Sequence, residues 1–514
     1  MRSDGGGAGP GGPADRSVPW IVAGFLVAVS ALRLLYLASG TLDLSPDEAH
    51  YWEWSRRLDL SYYSKGPLVA YLIAALTSAL GTSAFAIRAG AVALSALGAC
   101  AIYQLARTAF GDARPGMLAV LGLQVTPLFW AGSLLMTIDP PFLVLWVLAL
   151  LLLQRAMVGG SVRAWLWAGV AVGLGLLAKY TMLFVLPGVI LYLWRAPEAR
   201  RWLRRPAPYL AAAVALLALT PVIVWNVRRG WVSAQHVASQ GRGSGVTWIH
   251  LAEFLGSQVG VLTPIVAGLL AWGAWHGLRE GLWRGREPYR FLMAFATPIL
   301  AFYLALAVQG KVQANWAAAA YPPLALVTAG VLLEGTKWGA RGGRAARRTL
   351  LAAAWGLALA VSLLGHATDL LGLPPDLDPT TRLKGWRELG EAVSGVRATM
   401  PAPDRTFLVS DRYQITSELA FYVAGRPTAY NLNLGRRLNQ YDFWEGPGSR
   451  IGWDAVYVRE GRGRLDERVA DAFERTDEPV VVEVRRGDRV VRTFTLYRGY
   501  GFRGVPQSAD PPKY

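Results

Sequence analysis

Pro67-Leu68-Val69-Ala70-Tyr71-Leu72-Ile73-Ala74-Ala75-Leu76-Thr77-Ser78-Ala79-Leu80-Gly81 is the stretch on which the fold turns. It is apolar, but as a helix its about 15 residues reach only about 22 Å, against a hydrocarbon core of about 30 Å. It reads as a helix at the membrane interface, inside a long first outer loop. Charge placement tests that choice. With this segment out of the membrane and the amino terminus inside, the inner loops carry 18 Lys and Arg and the outer loops 8. That is the inside-positive pattern. A spanning segment would invert every later loop.

Outward from it, eleven stretches have the length and apolarity of spans. They are Val18–Ala38, Ile87–Ala106, Met117–Met136, Pro141–Met157, Trp165–Ala178 and Met182–Trp194, then Tyr209–Val227, Ser257–Trp275, Phe291–Val308, Ala317–Leu333 and Leu350–His366. Residues 1–17 are rich in Gly and Pro and read as a disordered cytoplasmic tail. After His366 the composition turns polar. Residues 369–514 read as a soluble α/β domain, with strands at Thr406–Ser410, Ala455–Arg459, Val480–Val484 and Val490–Tyr497. A hairpin turn at Arg485-Arg486-Gly487-Asp488 joins the last two, and a helix at Ile415–Ala424 lies between strands. The prediction is a polytopic α-helical membrane domain (18–366) of about 11 transmembrane helices plus a C-terminal soluble α/β domain. Eleven spans from an inside start put that domain outside the cytoplasm, with the inner membrane as its home.

Composition excludes other classes. The 514 residues are 53% hydrophobic and 17% charged, with mean hydropathy +0.30. A soluble chain carries about 25% charged residues, so a soluble enzyme, a disordered chain and a disulfide scaffold are all ruled out. The single cysteine, Cys100, closes no intramolecular disulfide. The net charge of +17 follows the inner loops and is a topology signal, not a nucleic-acid footprint.

Polar residues at membrane depth are functional candidates by default, and here they gather on one side. Three of the six lysines, Lys65, Lys179 and Lys311, occupy outer turns in a chain that otherwise uses arginine. An ammonium suits a phosphate oxygen, although a snorkelling lysine explains each one singly as well. Arg88 opens the second span on the same side. The first loop reads Ser45-Pro46-Asp47-Glu48-Ala49-His50-Tyr51-Trp52-Glu53-Trp54. Ser45 and Glu48 fit a capping box, and capping alone predicts that Glu48→Gln is mild. Asp47 is left without a structural duty, on a face with His50, Tyr51 and Trp54. Asp139-Pro140-Pro141 reads first as an N-cap with helix-opening prolines, and second as chemistry. Asn315-Trp316, after Lys311, is polar and aromatic at a helix start. The five histidines show no ligand spacing, so no cofactor is expected, and a divalent metal is possible but unsupported.

The chain resembles the GT-C superfamily of polytopic glycosyltransferases. More narrowly it is similar to bacterial members of the glycosyltransferase family 39, protein mannosyltransferase and aminoarabinose-transferase group. The likeness rests on Asp47-Glu48 with Tyr51-Trp52, Tyr62-Tyr63-Ser64-Lys65-Gly66-Pro67, Ile87-Arg88, Asp139-Pro140-Pro141, Leu177-Ala178-Lys179-Tyr180-Thr181, Asn315-Trp316 and Gln440-Tyr441-Asp442-Phe443-Trp444. The resemblance implies Asp47 as the catalytic residue, with Asp139 as the second candidate, and Lys65 as a ligand of the lipid phosphate. Arg88, Lys179 and Lys311 join Lys65 as phosphate candidates. Glu48, His50, Tyr51, Tyr63, Tyr180, Asn315 and Trp316 are the substrate-binding candidates. Ser64 stands where many relatives are acidic, and Gly66 where they usually place a second proline.

The implied reaction moves a sugar from a polyprenyl-phosphate donor to an extracytoplasmic acceptor (lipid, glycan or protein) by an inverting displacement. The partners are that donor, that acceptor and the bilayer, with no nucleic acid. The competing class is a lipid-linked sugar transporter or flippase without transfer chemistry. Such proteins usually show inverted repeats and broken midplane helices, and neither is read here.

Overall fold

A computed structural model describes residues 13–240, 246–334, 341–366, 368–374 and 377–505. Helices α1 (Pro13–Ala38), α2 (Pro46–Ser55), α3 (Leu68–Leu80) and α4 (Ala84–Phe110) open the chain. Then come α5 (Arg114–Gln124), α6 (Pro127–Gly132), α7 (Asp139–Met157), α8 (Val162–Ala178), α9 (Val185–Arg195) and α10 (Pro206–Arg228). Helices α11 (Val232–Gln240), α12 (Trp248–Leu262), α13 (Pro264–Gly277), α14 (Tyr289–Ala307), α15 (Tyr321–Glu334) and α16 (Arg341–Leu364) complete the apolar part. Among the described residues seven helices are long and apolar enough to cross a membrane, or nine if two bent pairs each count as one span. The protein is a multi-pass membrane protein.

Several expected stretches differ in detail, for local reasons. Met117–Met136 is not one helix: α5 ends before Pro127, which lacks the N–H a continuing helix needs. Ser257–Trp275 straddles a bend of 111° at Thr263, which takes φ +72° ahead of Pro264. Met182–Trp194 enters as a 3-10 turn at Tyr180–Phe184 and pairs with Pro197–Arg204 across a 119° bend. Helix α8 has 17 residues, at the lower limit of length for a span. The expected disorder over 1–17 gives way to helix from Pro13 onward, and residues 1–12 lie outside the described residues.

The apolar helices share one core that includes Trp146, Phe295 and Tyr289. Helices α8 and α10 pack closely because Gly169 faces Ala211: a methyl on Gly169 would stand 2.9 Å from the Ala211 Cα. The stretch at 67–81 is a 13-residue helix, α3. It packs beside α2 within the connection between the long helices α1 and α4.

The C-terminal part holds α17 (Thr368–Leu371), α18 (Trp386–Ala398), α19 (Tyr413–Tyr422) and α20 (Glu467–Ala470). Its strands are β1 (Thr406–Ser410), β2 (Ala429–Asn431), β3 (Asp454–Glu460), β4 (Phe473–Thr476), β5 (Val480–Arg486) and β6 (Arg489–Phe502). The sheet runs β2-β1-β3-β6-β4, with β5 also on β6. β1 is parallel to β2 and β3, and β6 is antiparallel to its partners. The four expected strands are present, and the hairpin turns at Gly487 with φ +58°. β2, β4 and α18 were not anticipated. They are short or amphipathic pieces whose pattern becomes apolar only once a neighbour covers them.

This domain does not stand apart. Ile415, Leu419 and Phe421 of α19 share a core with Ala49, Trp52 and Trp54 of α2 and with Val69 and Ile73 of α3. Trp52 meets Phe421 edge-on at 4.9 Å. The soluble domain therefore clamps the first-loop helices.

Candidate active site

Helix α2 starts where its cap dictates. Ser45 Oγ accepts the Glu48 N–H at 3.3 Å, and Glu48 Oε2 accepts the Ser45 N–H at 2.9 Å. Glu48 also takes Arg88 in a two-armed pair (2.9 and 2.7 Å) and the Met136 N–H at 2.9 Å, and it is wholly buried. The neighbouring guanidinium holds its carboxyl below the usual range despite the burial. Arg88 donates further to the Leu42 and Asp43 carbonyls at 3.1 and 2.6 Å. Glu48 and Arg88, expected as substrate and phosphate ligands, are here bonded to each other and to backbone, although Arg88 also lines the cavity described below.

Asp47, next in sequence, faces the other way. It is open to solvent and accepts a hydrogen bond from Tyr413 Oη at 3.2 Å. Loss of water in the surrounding recess raises its carboxyl above the ordinary value, while the Tyr413 bond and the charges of Lys65 and Arg382 pull it back.

His50 is a packing residue rather than a substrate ligand. It accepts the Trp54 indole N–H at 3.2 Å and stacks on Tyr441 at 5.2 Å, and burial lowers its imidazole to about 3. Tyr63 is locked the same way: its N–H meets Gln440 Oε1 at 2.7 Å and its ring stacks on Phe443. Trp316 packs against the membrane core, 6.1 Å from the Tyr303 ring. Tyr51 is buried beside Trp54, and the charges of Asp47 and Asp139 reach its hydroxyl, so it stays next to the site.

Asp139 is not an N-cap. It is the first residue of α7, with Pro140 and Pro141 behind it, and Ile138 occupies the cap position without a side-chain bond. Its carboxylate is gripped from both sides, by Lys179 Nζ at 2.6 Å and Asn315 Nδ2 at 2.6 Å. Lys179 ends α8 in an extended conformation, and Asn315 sits in the 3-10 turn Ala314–Ala320 before α15. Three distant segments thus converge on one carboxylate.

Lys65 lies beside this cluster, in the turn before α3. Burial lowers its amine below the ordinary lysine value, Lys179 lowers it further, and Asp139 and Asp47 oppose both. The backbone of Gly66 rests on Leu177, which holds the Lys65 turn against the end of α8. Tyr180 follows Lys179, near Ser61 and Ser233. Lys311 is exposed, and no hydrogen bond or ion pair joins it to Lys65, Lys179 or Asp139.

Asp139 and Asn315 also line a mostly apolar cavity of about 620 Å³, to which Arg88 and Gln124 contribute as well. Its walls include Ile102, Phe129, Trp130, Leu143 and Val147. Among the described residues, no three His, Cys, Asp or Glu side chains converge on a metal position.

Comparison with known proteins gives the same outline. Residues 64–225 match the family described as dolichyl-phosphate-mannose-protein mannosyltransferase. The lipid A galacturonosyltransferase RgtD of Rhizobium johnstonii is 30% identical over 317 residues, 60% of this chain and 64% of that protein. The chain thus spans just under two thirds of that relative's length. An undecaprenyl phosphate-alpha-4-amino-4-deoxy-L-arabinose arabinosyl transferase of Edwardsiella ictaluri is 28% identical, over 73% of this chain and 70% of that one. The crystal structure of ArnT from Cupriavidus metallidurans bound to undecaprenyl phosphate has the same fold, with TM-score 0.66, 17% identity, and coverage of 96% of this chain and 100% of that one. Over the matched stretches the chain is similar to this family and to these transferases, and its fold is that of ArnT.

The family match takes in Lys65, Asp139 and Lys179 but stops short of Asn315, and it begins after Asp47. Sequence reading missed Tyr413. Tyr413 opens a short helix with no unusual neighbour in the chain. Its partner Asp47 is 366 residues away, a contact that no local pattern encodes.

Proposed function

We propose that the chain is an integral-membrane glycosyltransferase. It moves a sugar from a polyprenyl-phosphate donor to an acceptor hydroxyl by a single inverting displacement. The observation that carries this reading is one juxtaposition. Lys65, on which Asp47, Asp139 and Lys179 all act, lies beside the Asp139–Lys179–Asn315 cluster, and Asp139 and Asn315 line a mostly apolar cavity. A lipid tail fits the apolar walls, and its phosphate fits the two ammonium groups. The relatives' activities and the undecaprenyl phosphate bound in the solved neighbour support the same donor class.

In the proposed reaction the acceptor oxygen attacks the anomeric carbon. The bond from that carbon to the phosphate oxygen breaks, and its electron pair leaves with the polyprenyl phosphate. Lys65 and Lys179 meet the charge that develops there, already in place and partly shielded from water. Asp47 removes the acceptor proton. Among the described residues its Oδ2 accepts no hydrogen bond, and its raised carboxyl makes it a stronger base. Asp139, with both oxygens occupied, holds Lys179 and Asn315 in position.

The 18 to 8 charge split supports an inner-membrane chain with a cytoplasmic amino terminus and an extracytoplasmic C-terminal domain. The test of function is release of undecaprenyl phosphate when purified protein meets an undecaprenyl-phosphate sugar and cell-envelope acceptor. Release that depends on Asp47 is the expected result. Movement of intact donor across proteoliposomes, with no release, would support the transporter reading instead.

A further inference from the structure

Asn315 sits on a turn with few side chains to anchor it. The 3-10 stretch Ala314–Ala320 reads Ala-Asn-Trp-Ala-Ala-Ala-Ala, and apart from Asn315 only Trp316, packed on Tyr303, is larger than a methyl. The hydrogen bonds inside such a turn are poorly aligned. One side chain on another helix holds it at both ends. Gln258 of α12 donates from Nε2 to the Ala314 carbonyl at 3.3 Å, at the start of the turn. Its Oε1 accepts from the hydroxyl of Tyr321, the buried residue that follows the end of the turn. A single carboxamide therefore spans the turn, and Asn315, next to Ala314, carries its own amide to Asp139 at 2.6 Å.

Helix α12 is placed by its ends more than by its faces. Of its 15 residues, only Phe254 and Leu262 are buried. At its start the Thr247 N–H reaches the Val308 carbonyl at 2.8 Å. Just past its other end Thr263 takes φ +72° ahead of Pro264, and its buried Oγ1 has no partner among the described residues. A β-branched residue in that conformation is strained, and such strain collects where a segment has a second position within reach.

The same helix walls the cavity. Gly260 and Val261, within one helical turn of Gln258, line it beside Asn315, Ala318 and Pro322. Helix α12 and the Asn315 turn thus form neighbouring parts of one wall, and Gln258 is a polar link between them.

We propose that Gln258 and Tyr321 are positioning residues that couple occupation of the apolar cavity to the seating of Asn315 on Asp139, and through Asp139 to Lys179. A lipid tail against Gly260 and Val261 sets α12, and the Gln258 carboxamide passes that setting to the turn. Lys179 is then held where the phosphate arrives. Binding energy from the unreactive tail is in this way used at the head. This rests on the reading that the cavity takes the tail and that Lys65 and Lys179 hold the phosphate.

The test measures binding of three probes to full-length protein in nanodiscs. They are undecaprenyl phosphate, undecaprenol (the tail without phosphate) and dimethylallyl phosphate (the phosphate on a single isoprene unit). Gln258→Leu keeps most of the side chain's bulk and makes neither bond. It is expected to bind undecaprenyl phosphate about tenfold more weakly than wild type, a usual size for coupling between two sites, and to bind each half-ligand within about twofold of wild type. Tyr321→Phe, which removes one arm of the clamp, should fall between the two and serves as the test if Gln258→Leu does not fold. Weakened dimethylallyl phosphate binding in Gln258→Leu would make Gln258 a plain support of the charged cluster. Weakened undecaprenol binding would make it a plain piece of cavity wall. Either result overturns the coupling, as does undecaprenyl phosphate binding within about twofold of wild type in both variants. Failure of either half-ligand to bind wild type overturns it as well. Failure of wild type to bind undecaprenyl phosphate at all overturns the donor reading itself, and the coupling with it.

Discussion

Gly66 lies directly against Leu177. A methyl on Gly66 would stand 2.7 Å from the Leu177 carbonyl carbon and closer still to its oxygen. No side chain can yield there, because the obstacle is backbone. The contact brings the Lys65 turn alongside Lys179, two residues beyond Leu177. Gly66→Ala must push the turn away, at about 1–3 kcal/mol, and separate the two ammonium groups. Binding of undecaprenyl phosphate should weaken about tenfold while the protein stays folded, since a lost contact to a charged group is worth that much. Titration in nanodiscs checks this; an affinity within twofold of wild type would uncouple Gly66 from the site.

Asp47 and Glu48 are neighbours with opposite expected phenotypes. Asp47→Asn removes the proposed base from an open position, so transfer should slow about 10²–10⁴-fold with little change in thermal stability. Glu48→Gln, mild on capping grounds alone, leaves Arg88 buried without its counter-charge. Breaking such a pair costs about 3–5 kcal/mol, so this variant should lose stability first. Transfer rate and melting temperature measured side by side separate the two; a stable, inactive Glu48→Gln protein would contradict the structural role.

The rate should fall as pH drops through the Asp47 carboxyl, which lies above the ordinary carboxylate value. The Tyr413 hydrogen bond favours the ionised form. Tyr413→Phe should therefore move the acid limb to higher pH, with the alkaline side unaffected. A rate–pH profile that keeps its acid limb unchanged would detach Tyr413 from Asp47.

Glu418 is buried in α19, and neither of its carboxyl oxygens has a partner among the described residues. Burial raises its carboxyl well above the usual range, and Asp43 and Glu48 add to the rise. A carboxyl raised in the folded state contributes stability that is complete below its unfolded value and is lost as pH climbs through the folded one. Glu418→Gln, uncharged at any pH, should raise the melting temperature at neutral and alkaline pH and change little in acid. Equal shifts at both ends would mean that Glu418 carries no such burden.

Orientation is checked by chemistry from outside. Ser449 is exposed in the C-terminal domain. Ser449→Cys, with Cys100 replaced, should react with an impermeant thiol reagent in spheroplasts before lysis. Protection until lysis would reverse the topology.

Some of this protein was written in its local sequence and some was not. The helical membrane class, the short helix at 67–81 and the hairpin around Gly487 follow from hydrophobic run length, strand alternation and turn chemistry, which act over a few residues. The capping box at Ser45 and Glu48 is equally local, and it left Asp47 as the unexplained carboxylate. Helix breaks at Pro127 and Thr263–Pro264 were visible as prolines, but apolar averages ran straight across them. Which charges stay free for a ligand was decided only by the tertiary structure. Arg88 looked as available as Lys65 until Glu48, 40 residues away, claimed it. Asp139 looked like a cap until Lys179 and Asn315 closed on it. Tyr413 reached Asp47 across 366 residues only because α19 packs on α2. An ion pair or a long-range hydrogen bond depends on where two groups meet in space, and no period or motif along the chain carries that distance.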